Sequence, residues 1–113
     1  MLSVIVFSSA NASLGDVGTQ LDRLGLAAHS AKNVREVTWL LAVAERKFAA
    51  IFIDGDSALP DRLELVSYLA TSHPDVPRFL LLTAPSVAES EGCIVVDKLR
   101  IEDRVCEVLA ALR

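Results

Sequence analysis

The sequence predicts an α/β domain, a doubly wound five-stranded parallel sheet with helices on both faces. Two observations carry this. Short β-branched or apolar runs alternate with stretches of helical periodicity along the chain, with short connections between them, which calls for parallel strands and right-handed crossovers. The first run, Leu2–Phe7, is also apolar on both faces, as a strand buried in the middle of such a sheet must be.

Each element has its own signal. After Leu2–Phe7, the residues Leu14, Val17, Leu21 and Leu24 recur at helical spacing, and Gly25 is placed to stop that helix. Gly15 and Gly18 weaken its first turns. Ala27–Ser30 is a short second strand. Asn33 with Glu36 forms a capping-box pattern ahead of a helix whose inner stripe is Val34, Val37, Leu41 and Ala44. Trp39 lies off that stripe and is expected at a partly exposed position. Ala49–Ile53 is the third strand, ending in Asp54-Gly55-Asp56. Pro60 suits the first turn of the next helix, with Leu63, Val66, Leu69 and Ala70 inward and His73-Pro74 at its end. Phe79–Leu82 is a fourth strand ending in Thr83, and Cys93–Val96 a fifth ending in Asp97-Lys98. Ile101, Val105, Val108, Leu109 and Leu112 mark the last helix.

One connection is too short. Only seven residues separate Pro85 from Cys93, whereas a crossover helix with its loops needs about ten or more. The fourth helix is therefore missing or cut to about one turn.

The totals narrow the function. The 113 residues, 52% of them hydrophobic, make one domain over residues 1–113 with a real core. A net charge of −4 with scattered Lys and Arg argues against a nucleic-acid surface. Cys93 and Cys106 lack metal-ligand spacing and read as buried reduced thiols. His29 and His73 have no acid or nucleophile at useful spacing. With no secretory leader or membrane-spanning run in the sequence, a cytoplasmic protein is expected, with no membrane partner.

In doubly wound sheets the chemistry sits at the carboxyl ends of the strands. There the chain places Ser8 and Ser9 after strand one, Asp54 and Asp56 after strand three, Thr83 after strand four and Lys98 after strand five. An acid, a hydroxyl and an amine at successive strand ends form a constellation. Taken singly, Asp54 is also a plain turn former and Asp56 a solvated loop acid. Thr83 serves equally as a cap, and Lys98 as a salt-bridge partner for Asp54.

The pattern resembles the receiver domain of two-component response regulators over nearly the whole chain, most strongly in FAAIFIDGDSALPDRLELVSYLATSHPDVPRFLLLTA and in VVDK. The resemblance implies a flavodoxin-like sheet of strand order 2-1-3-4-5. It also implies that Asp54 is the phospho-acceptor, with Thr83 and Lys98 contacting the phosphoryl group. The family ends its first strand in two acids that hold Mg²⁺; here those positions are Ser8 and Ser9. Asp54 and Asp56 alone would hold Mg²⁺ weakly, because a hard cation favours charged oxygens. Leu99 stands where the family has proline, and Val95 where it has an aromatic. The resemblance thus implies a degenerate, pseudo-receiver module that works by protein–protein interaction and not as an enzyme, with no cofactor beyond weak Mg²⁺. Its expected partners are a signalling protein or histidine kinase, or a second copy of the chain through strands four and five and the last helix. Two alternatives stand beside it: an active phospho-acceptor receiver using Asp54, and a nucleotide or small-ligand binder using the Ser8–Ser13 loop.

Overall fold

The computed structural model of the chain describes residues 2–9, 15–43, 48–83, 85–87, 89–102 and 105. Its elements run β1 (Leu2–Phe7), α1 (Gly15–Arg23), β2 (Leu26–Ala31), α2 (Val34–Val43), β3 (Phe48–Asp54), α3 (Leu59–Ser72), β4 (Arg78–Leu82), β5 (Glu89–Ser90) and β6 (Cys93–Asp97). Helical backbone is present again at Ile101, Glu102 and Val105. Leu14, Ala44, Cys106, Val108, Leu109 and Leu112 lie outside the described residues. No described helix is long and apolar enough to cross a membrane.

The sheet order is β2-β1-β3-β4-β6-β5. The five expected strands are all there, parallel, and in the expected order, the fifth being β6. The expectation of five strands needs one correction. A sixth, the two-residue β5, pairs antiparallel with β6 at the sheet edge. Between Leu82 and Cys93 the described residues contain no helix. A hairpin takes that place because its turn residues, Glu91 at φ 54° and Gly92 at φ 73°, both adopt the left-handed conformation that matches strand twist. Arg62 on α3 holds the turn through an ion pair to Glu91 at 3.0 Å.

Alternation along the strands divides the core in two. Val4, Val6, Ala50, Phe52, Phe79, Leu81 and Val96 face one side, packing with Val17 and Leu21 of α1 and with Ile101 and Val105. Phe52 and Phe79 stack there with ring centroids 5.0 Å apart. Ile5, Phe7, Ile51, Ile53, Leu80 and Val95 face the other side, against Val37 of α2 and Leu65 and Leu69 of α3. Both faces of the central strands are thus covered, the reason those runs carry no polar alternation.

Local signals act as expected at several helix ends. Asn33 Oδ1 accepts the Glu36 N–H at 2.8 Å, and the Glu36 carboxylate reaches back to the Lys32 N–H at 2.6 Å. Gly25, at φ 74°, ends α1. His73 closes α3, its N–H donating to the Leu69 carbonyl at 2.8 Å. Trp39 is 61% exposed. The inward face of α3 differs from the sequence expectation. Leu63 and Ala70 are exposed, and the buried pair is Leu65 and Leu69, one turn apart, flanked by half-buried Val66 and Tyr68.

Gly55 is fixed by a close approach. Its N–H donates to the Leu81 carbonyl at 2.8 Å. A Cβ there would meet the Leu81 carbonyl oxygen at 2.5 Å and also collide with Leu82 Cδ2. Gly55→Ala is therefore expected to destabilise the fold by about 2 kcal/mol, the cost of forcing extra volume into a packed site. Urea unfolding of the two proteins checks this, and equal midpoints would contradict it.

Candidate functional site

The site grows from the same alternation. Ser8 is in phase with Val4 and Val6, Asp54 with Ala50 and Phe52, and Lys98 follows Val96 by two residues. All three therefore fall on the α1 side of the sheet at its carboxyl edge. Asp54 has no exposed surface. The Ser8 hydroxyl donates to its Oδ2 at 2.8 Å. The Lys98 ammonium donates to its Oδ1 at 3.0 Å, and the Asp56 N–H reaches the same oxygen at 3.2 Å. Lys98 Nζ also lies 3.2 Å from Asp56 Oδ2, so one ammonium bridges two carboxylates.

Main-chain bonds hold the frame. The Ser57 N–H donates to the Asp54 carbonyl at 3.1 Å, closing a turn over Gly55 and Asp56. The Lys98 N–H donates to the Leu82 carbonyl at 2.9 Å. Asp97 shapes the turn after β6 with its side chain accepting the Leu99 N–H at 2.9 Å, so the turn forms with Leu99 and needs no proline there. Val95 is buried in the second core cluster, and Leu99 is 66% exposed.

Burial alone would push the Asp54 carboxyl up. The hydrogen bond from Lys98, then those from Ser8 and the Asp56 N–H, with the attraction of the ammonium, outweigh that and hold it below its ordinary value. Desolvation likewise disfavours the Lys98 ammonium, but the bond and charge of Asp54, followed by those of Asp56, raise it. The site is a charged pair that keeps itself ionised.

The sequence expectations divide here. Asp54, Lys98, Asp56 and Ser8 meet in one cluster. Ser9 stands beside it and ties β1 to the segment after β3. Its N–H donates to Ser57 Oγ at 3.0 Å, and its hydroxyl accepts the Ala58 N–H at 3.2 Å. Thr83 is exposed and makes no hydrogen bond to Asp54 or Lys98 among the described residues. Residues 10–13 of the Ser8–Ser13 loop lie outside the described residues. Cys93 is buried and free, its thiol pushed up to about 11 chiefly by burial.

Two contributors were missed. Ser57 is buried and links the ends of β1 and β3 through Ser9. Gln20 is 7% exposed and binds the turn that carries Lys98, Nε2 donating to the Lys98 carbonyl at 2.9 Å and Oε1 accepting the Ile101 N–H at 2.8 Å. Its signal was readable: an amide in phase with Val17, Leu21 and Leu24 on an inward stripe.

As these side chains lie, they suit a divalent cation poorly. Mg²⁺ wants about six oxygens, with carboxylates among them. Here the Asp54 oxygens already face a hydroxyl hydrogen, an ammonium and a backbone N–H. The second carboxylate, Asp56, is on the same ammonium. Among the described residues no three His, Cys, Asp or Glu side chains group so as to hold a metal.

The ion pair predicts a pH dependence. Asp54 titrates in the folded state below its unfolded value near 3.8, so its stabilisation is fully present above that value and is lost as pH falls through the folded one. The extra stability of the wild type over Asp54→Asn should therefore be large at pH 7 and shrink as acid is added below about pH 4. Chemical unfolding of both proteins across that range measures it, and a constant difference would contradict the assignment.

Comparison with known proteins gives the fold a name. No family model matches the chain, and no curated protein matches it. Solved structures do. The receiver domain of the Francisella response regulator 1452 superposes with TM-score 0.76 at 15% identity, covering 100% of both chains. The Thermotoga maritima response regulator TrrA, solved in complex with Mg²⁺-BeF, gives 0.73 at 19% identity over 100% of both chains. The Vibrio cholerae chemotaxis response regulator CheY4 gives 0.72 at 16% identity, covering 96% of this chain and 98% of that one. By these matches, the chain has the flavodoxin-like α/β fold of response-regulator receiver domains.

Proposed function

We propose that this chain is a receiver-like signalling domain that acts by protein–protein interaction, without ordinary Mg²⁺-dependent phosphorylation of Asp54. The observation that carries the reading is the engagement of both Asp54 oxygens from within the chain, by Ser8, Lys98 and the Asp56 N–H. A carboxylate must offer an accessible lone pair to attack a phosphoryl group, and a metal must neutralise the transferring oxygens. Asp54 has no exposed surface, and the ammonium stands against both carboxylates. Ser8 and Ser9, the serines where the resembled family holds acids, spend their hydroxyls on internal bonds.

A second reading has one observation in its favour. Asp54 is kept ionised at a strand end with Lys98 3.0 Å away, the pair an active phospho-acceptor receiver would need. Acetyl phosphate with millimolar Mg²⁺ separates the two. The docking reading expects no mass increase of a phosphoryl group on the intact protein. Phosphate incorporation that Asp54→Ala abolishes would replace it with the second reading.

The partner side of the proposal rests on the connection after β4. A two-residue strand extends the sheet edge there, no crossover helix is present among the described residues, and Val87 nearby is 53% exposed. The docking side follows from this missing layer over the sheet edge, on which Val87 is a single exposed apolar side chain. The occupant is a second copy or a signalling protein such as a histidine kinase, on the side of β4, β6 and the C-terminal helical segment. Light scattering across a concentration series is expected to show a dimer that Val87→Asp weakens. A monomer at every concentration would remove the self-association arm.

A further inference from the structure

Gln20 is a neutral side chain in a place the core reserves for apolar ones. It lies on the inward stripe of α1, between Val17 and Leu21, and is 7% exposed. A leucine would fill that volume without the cost of burying an amide. The amide instead spends both its ends on one target. Nε2 donates to the Lys98 carbonyl at 2.9 Å, and Oε1 accepts the Ile101 N–H at 2.8 Å. From the other side, β4 takes the Lys98 N–H on the Leu82 carbonyl at 2.9 Å. The Lys98 main chain is therefore gripped between α1 and β4. Its side chain then has a fixed origin from which the ammonium reaches Asp54 at 3.0 Å and Asp56 at 3.2 Å.

We propose that Gln20 is a positioning residue for the charged pocket: by gripping the Lys98–Ile101 turn against α1, it seats the Lys98 ammonium between Asp54 and Asp56. The proposal deepens the docking reading, on which the pocket is held shut by its own charges. A lysine stem is long and rotamer-rich, so its head stays put only if its root does. Gln20 supplies the root. Without it, the Lys98 carbonyl and the Ile101 N–H lose their side-chain partner, and the turn is free to carry the ammonium off the two acids.

The test is a double-mutant cycle with a direct readout of the ammonium. Gln20→Met keeps the volume and removes both hydrogen bonds; Gln20→Glu keeps the acceptor for Ile101 and serves if the first variant does not fold. Either is expected to lower Tm by about 4 °C or more in the wild-type background and by clearly less in Lys98→Met, where the seated ammonium is already gone. In nitrogen-15 spectra of the lysine side chains, the Lys98 ammonium signal is expected to weaken through faster proton exchange, while that of exposed Lys32 stays unchanged. The ammonium signal decides. If it is unaltered in a folded Gln20 variant, or if the Tm loss is equal in both backgrounds, Gln20 is a packing clamp and the proposal is overturned. Phosphorylation of the wild type would sink the docking reading yet leave both readouts standing.

Discussion

A carboxylate with no exposed surface cannot stay ionised at the end of a central strand unless donors meet it there. Asp54 meets that condition with donors drawn from three separated parts of the chain: Ser8 after β1, Asp56 in its own turn and Lys98 after β6. Much else in this half of the molecule follows from the requirement. The Asp54–Ser57 turn must close tightly, which brings Gly55 onto the β4 backbone. The β6 turn must hold Lys98 in place, which engages Asp97 and Gln20. Removing one partner of such a pair is costly, about 3 to 5 kcal/mol in buried cases, because the other charge is left behind.

The same arrangement explains why the site reads as an ion pair before it reads as a reaction centre. A buried pair of this kind is weak evidence for stability in itself, since desolvation offsets much of the attraction. Its value here is specificity of arrangement. One ammonium ties the third strand, its following turn and the sixth strand to a common point. Serine at position 8 adds a donor where a carboxylate would add a like charge, so the cluster closes on itself.

The chain order of elements was legible because central strands are apolar on both faces and helices carry caps at their ends. Asn33 with Glu36 and Gly25 did what their chemistry required. The site was legible at Asp54 and Lys98, since both fall directly after strong strand signals. Two features were not. The inward face of α3 hung on phase, and its alternating Leu63 and Leu65 fit two stripes equally well until packing selected Leu65. The β5–β6 hairpin turned on Glu91 adopting a left-handed conformation, which its residue type disfavours.

The two-sided core has a corollary for how this molecule tolerates change. Ser8, Asp54 and Lys98 all share the phase of the Val4–Phe52–Phe79 cluster, whereas Ile5, Ile53 and Leu65 belong to the opposite layer. The sheet acts as a partition: the Ser8–Asp54–Lys98 cluster lies on one storey, while the other is built on Phe7, Ile53 and Leu65 with the Arg62–Glu91 ion pair at its margin. A substitution among the apolar side chains of the α2–α3 storey can be absorbed by repacking, while one at Ser8, Asp54 or Lys98 must also satisfy hydrogen-bond geometry. The two layers of one small domain therefore answer a substitution in different ways.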